Sequence, residues 1–187
     1  MRLALGISCL ILLAGCIPCS DAPLSQPGAQ PPDAALMGMW THTQGPETVT
    51  IHFGLAGDPR QITIVMTETD RAGKLDSSTM SALTTKAGDR SYLNIRFGDE
   101  NAAEPGYLFV KYVVDGDTLG VAIIDSDAVS KGIQSGEIEG EVAAGEWAST
   151  IRIRESPEKM LVFLDRHDEE LFPEMQYFHR IRQVDAR

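Results

Sequence analysis

The chain has 187 residues, with 27 acidic and 16 basic side chains and a formal charge of −11. That excess argues against nucleic acid as a partner and against electrostatic adhesion to anionic lipid head groups. With 43% hydrophobic residues the length suits one domain with a real core, and three cysteines are too few for a disulfide-stapled scaffold.

At the start of the chain, Arg2 leads into an apolar run from Leu3 to Leu13 that ends in Leu13-Ala14-Gly15-Cys16. The run is too short to span a bilayer stably, and small residues occupy the two positions before the cysteine. This segment resembles a bacterial lipoprotein signal with its lipobox. The resemblance implies that residues 1–15 are removed and that Cys16 becomes the lipidated first residue of a 172-residue mature chain. With Arg2 gone, 15 basic side chains face 27 acidic ones, a formal charge of −12. Anchoring therefore falls to the acyl chains on Cys16, several of which hold a protein durably where one binds marginally. In the families this signal resembles, Asp after the cysteine marks retention at the inner membrane. Ile17 stands there instead, so the expected location is the bacterial envelope, at the outer membrane facing the periplasm. Cys9 is lost with the signal and Cys16 is acylated, which leaves Cys19 without an internal disulfide partner.

Residues 16–35 carry Pro18, Pro23, Pro27, Gly28, Pro31 and Pro32 with hardly any large apolar side chain. They are expected to form an extended, solvated tether that holds the folded domain, residues 36–187, away from the membrane. The domain opens on Leu36-Met37-Gly38-Met39-Trp40. Gly38-Met39-Trp40 resembles the opening motif of lipocalins and other calycins. The resemblance implies a tryptophan that plugs the closed end of a small antiparallel barrel beneath a basic side chain of the last strand, here Arg180 or Arg182. The chain departs from the lipocalin pattern at Thr69-Asp70, which Arg71 follows where a tyrosine is typical. The layout also looks like that of lipocalin-like lipoproteins of bacteria.

Period-two alternation continues along the chain, as in strands with one buried face. Val49, Ile51 and Phe53 oppose Thr48, Thr50 and His52, and Ile62, Ile64 and Met66 follow. A polar loop is expected over residues 70–78, residues 79–85 are ambiguous, and Leu93, Ile95 and Phe97 resume the pattern after a Gly88-Asp89 turn. The most apolar pair, Tyr107 to Val114 and Thr118 to Ile124, flanks Asp115-Gly116-Asp117 and reads as a tight hairpin. Asp115, Asp117, Asp125 and Asp127 do not have the spacing of a calcium loop, and no metal site is assigned.

A short helix is expected over Ser126 to Gln134 before Gly136. Strands from Ile138 to Val142 and Ala148 to Arg154 surround a Gly145-Glu146-Trp147 turn, and a second helix starts at Ser156-Pro157. The charged run Arg166 to Glu170 is expected to be a solvated helix end. Gln176 to Arg182 closes the series with Tyr177, His179 and Ile181 on one face and Phe178, Arg180 and Arg182 on the other.

The expected fold is mainly β, a small antiparallel lipocalin-like β-barrel with two short late helices. Four scattered histidines, no nucleophile elbow and no phosphate-binding glycine loop give no catalytic set, and no cofactor is implied. The expected activity is non-enzymatic binding of a small hydrophobic or amphipathic ligand. Phe53, Met66, Phe97, Phe109, Tyr112 and Tyr177 are the candidate lining residues, although Phe109 and Tyr112 cannot share one face of a regular strand. The alternative is a protein-interaction module, an accessory subunit or inhibitor, held at the envelope membrane.

Overall fold

A computed structural model describes residues 17–97, 106–143 and 150–182. The expected turn at Gly145-Glu146-Trp147 and the lipidation site Cys16 lie outside the described residues. Eight strands close an antiparallel barrel: β2 (Gly38–Gln44), β3 (Glu47–Leu55), β4 (Ile62–Thr69), β5 (Leu75–Ala87), β6 (Arg90–Phe97), β7 (Gly106–Asp115), β8 (Thr118–Ile123) and β11 (Gln176–Arg180). The first seven form a meander, each paired with the next. After a long excursion the chain returns as β11, which fits between β8 and β2 and completes the ring. Full closure leaves no barrel strand with an open edge, which removes a template for aggregation. β5 begins at Leu75, inside the stretch expected as a polar loop, because Asp70 folds the turn. Its carboxylate accepts from the N–H groups of Ala72 and Lys74 at 2.8 and 2.9 Å, and pairing with β4 then starts at Thr69 with Leu75.

Register assigns every side chain to one of two faces, because neighbours along a strand alternate and partners across a pair do not. Trp40, Ile51, Met66, Leu93, Val110, Val121 and Phe178 fall on the inward face, and Tyr92, Asn94, Phe109 and Ala122 on the outward one. All four outward residues are nevertheless buried. The excursion between β8 and β11 covers part of this side. It comprises α1 (Ser126–Gln134), β9 (Gly140–Ala143), β10 (Thr150–Ile153), α2 (Pro157–Arg166) and the short α3 (Asp168–Leu171). The ring of Tyr92 meets that of Phe172 at 5.9 Å, and Lys111 Nζ lies 2.5 Å from Asp168 Oδ2. The run Arg166 to Glu170 is thus a fastening point as well as a helix end: Arg166 and His167 both reach Glu137, at 2.6 and 3.0 Å. Those contacts, the His167 hydrogen bond first, hold the Glu137 carboxyl below its ordinary range.

The segment expected as a solvated tether is the main correction. Residues 17–36 run along the barrel from one end to the other as a strap. Cys19–Ser20 form β1, parallel to β10, and Ser20 also pairs with Tyr107 of β7. Gly106 makes that approach possible, since a Cβ there would collide with Cys19 Sγ. Further along, Leu24 is buried and its N–H donates to Asn94 Oδ1 at 2.7 Å, while Ser25 and Thr85 join hydroxyls at 2.7 Å. At the far end Asp33 accepts from Tyr112 Oη at 2.9 Å and caps a 3-10 turn, Ala34–Leu36, that leads into β2. Proline keeps such a strap extended, and receptors for its free backbone groups are supplied by the outer wall of the barrel.

Asn94 is the central receptor. It has no exposed surface; its Nδ2 donates to the Leu83 carbonyl at 3.2 Å and to Thr85 Oγ1 at 2.9 Å, while Oδ1 accepts from Leu24. Asn94→Ala strands a buried N–H and leaves space, and is expected to cost about 1–3 kcal/mol in denaturant unfolding.

Candidate functional site

The two ends of the barrel differ. At one end the 3-10 turn closes the interior: Leu36 and Trp40 are fully buried, and Trp40 Nε1 donates to the Leu36 carbonyl at 2.8 Å. Arg180 is the basic residue over Trp40, its guanidinium carbon 4.0 Å from the ring centroid. Its Nη1 and Nη2 donate to the Met37 and Ala35 carbonyls at 2.6 and 2.7 Å, so it also ties down the turn and the residue that follows it. Gly38 belongs to this arrangement, because its φ of +113° suits glycine and Arg180 Nη1 sits where a Cβ would be crowded, at 3.2 Å. Arg182 does not lie over Trp40 but forms an ion pair with Asp117, which Arg180 Nε also approaches at 3.9 Å.

The other end is open. A cavity of about 500 Å³ lies there, within the range of small-molecule sites. Its walls are Val49 and Ile51 of β3, Met66 of β4, Val121 and Ile123 of β8 and Phe178 of β11. Ile17, Pro18, Ser126 and Pro173 stand at the rim. Among the described residues the polar side chains inside the rim are His42, Gln176, Glu68, Asp125 and Glu174, with no lysine or arginine. His42 packs against Phe178 with centroids 5.5 Å apart, and its Nδ1 lies 2.7 Å from the Tyr177 carbonyl. A carbonyl only accepts, so Nδ1 carries the hydrogen and a neutral ring keeps Nε2 as an acceptor.

Glu68 is the inward-facing carboxylate of β4, opposite Val49. Desolvation raises its pKa, and the negative charges of Asp76 and Glu47 add to the effect. The folded state therefore holds an extra proton between the unfolded and folded pKa values, and stability declines as pH rises through that window. Glu68→Gln is expected to unfold at higher denaturant than the parent at pH 7, with the difference closing below about pH 4, where glutamate is protonated in both states.

Of the six residues expected to line a ligand site, Met66 does. Phe53 and Tyr112 face inward but lie towards the closed end, where Tyr112 is committed to Asp33. Burial, followed by that hydrogen bond, raises the Tyr112 pKa. Phe109 is buried on the outward side, and Tyr177 faces outward with 55% of its surface exposed, so neither reaches the interior. The side chain of Phe97 lies outside the described residues. Two of the polar residues missed at the mouth, His42 and Gln176, were legible through parity: His42 is two residues from Trp40, and Gln176 four from Arg180. Among the described residues no group of three or more His, Cys, Asp or Glu side chains is arranged to hold a metal ion.

The site is thus an apolar chamber with an acidic mouth, built by β2, β3, β4, β8 and β11 and rimmed by the start of the strap. Comparison of the chain with protein-family models, with curated proteins and with solved structures finds no match.

Proposed function

We propose that this chain is a lipid-anchored protein of the bacterial envelope, held through Cys16 at the outer membrane on its periplasmic side. In this reading its barrel is non-enzymatic and binds a small hydrophobic or amphipathic ligand. The observation that carries the binding role is the 500 Å³ chamber, whose apolar walls favour a hydrocarbon or ring system. Its mouth refines the ligand class: with Glu68, Asp125 and Glu174 on the lining and no cation beside them among the described residues, a neutral or cationic head is accommodated better than a carboxylate.

The test uses residues 17–187 purified from the periplasm without detergent, so that the strap is retained. Solvent extraction and mass spectrometry are expected to find one bound amphiphile per chain. A hydrophobic fluorescent probe with a cationic head should displace it more readily than its anionic counterpart. Val121→Trp, which fills the chamber, should weaken probe binding at least about tenfold while leaving the fold intact by circular dichroism. A domain that carries nothing and binds no probe would overturn the reading.

A further inference from the structure

The strap places the anchor as well as the plug. Its first described residues, Ile17 and Pro18, line the open end of the barrel beside Ser126 and Pro173, and Ile17 is one peptide unit, about 3.8 Å between Cα atoms, from Cys16. No slack intervenes, because the chain is fastened immediately afterwards. Ser20 is buried and pairs with Tyr107, the Asp21 N–H donates to the Ile153 carbonyl at 3.0 Å, and Asp21 forms an ion pair with Arg152. The turns at Gly88 and Gly116, and Ile181 and Arg182 just after β11, lie at the opposite end, with the plug.

We infer that the protein sits on the membrane with its barrel mouth against the bilayer and its plugged end facing away. This rests on lipidation of Cys16, the anchoring part of the proposed function, and goes beyond it by fixing the orientation. A flexible tether would let the domain tumble at a distance from the surface, whereas a packed strap does not. Asp125 and Glu174 at the mouth repel anionic head groups, so the lipid and the direction of the strap hold the mouth down. A ligand then passes between the bilayer and the chamber without crossing open water, which suits the apolar walls.

The experiment uses the full-length, processed protein in phosphatidylcholine vesicles, in a Cys19→Ser background. A single fluorophore is attached at Glu174→Cys, on the rim, or at Asp89→Cys, at the plugged end. Both parent residues are exposed, so the labels perturb little. With lipids carrying a nitroxide near the head group, quenching is expected to be several-fold stronger for the rim label. Equal quenching, or stronger quenching at Asp89, overturns the orientation. Intact-mass measurement on the same preparation separates the two failures. An unacylated Cys16 overturns the anchoring reading and the orientation with it, whereas an acylated Cys16 with equal quenching overturns the orientation alone.

Discussion

A fragment that begins at residue 36, the boundary suggested by composition, is expected to lose most of its stability relative to residues 17–187. Removing the strap exposes the wall beneath Leu24, whose own burial is worth about 2 kcal/mol. It also takes away the Leu24 N–H that Asn94 Oδ1 accepts from and the Asp33 carboxylate that Tyr112 Oη donates to, with each lost partner of a buried polar group costing about 1–3 kcal/mol. Two such losses added to the apolar one come to roughly 4–8 kcal/mol, against a typical domain stability of about 5–15 kcal/mol. Urea unfolding of the two fragments side by side measures this. The shorter one should unfold at markedly lower denaturant or be collapsed without a cooperative transition. A fragment 36–187 with an unchanged midpoint would mean that the strap lies on the barrel without supporting it.

The strap was illegible for a physical reason. Low hydrophobicity and frequent proline describe a segment that cannot fold on its own, and they are equally the composition of a segment that lends its backbone to receptors elsewhere. The receptor was in the sequence as Asn94, a polar residue between Leu93 and Ile95, but an asparagine within an alternating strand reads as solvent-facing until something is seen to cover it. Alternation did locate β3, β4 and the β7–β8 hairpin, and Ser156 caps α2 as expected, accepting from Lys159. Large size alone does not mark a lining residue, because strand parity decides which side chains face the chamber. Tyr177 and Arg180 are three apart on β11, so once an arginine is assigned to the face of Trp40 the tyrosine must point away. Phe109 failed differently. It is apolar and buried, but on the outer side, where a second layer that periodicity does not reveal covers the barrel.

The second large effect is expected at the plug. Trp40→Ala removes a fully buried indole, its hydrogen bond to the Leu36 carbonyl and the surface on which Arg180 lies, and should lower the unfolding free energy by about 3–5 kcal/mol. Trp40→Phe retains a ring under the guanidinium but gives up the donor and part of the volume, so a smaller loss, about 1–3 kcal/mol, is expected. Arg180→Met keeps much of the aliphatic stem while releasing the Met37 and Ala35 carbonyls. The pair is tested by a double-mutant cycle in denaturant. If the guanidinium over the ring contributes as a cation–π contact, the coupling between Trp40→Ala and Arg180→Met should reach about 0.5–2 kcal/mol. Additive losses would place the value of Arg180 in the two carbonyls it holds and its ion pair with Asp117. In either case the damage begins at the closed end. A variant at Arg180 that still folds should therefore retain probe binding in the chamber, because His42, Val121 and Phe178 are carried by strands whose pairing continues beyond the plug.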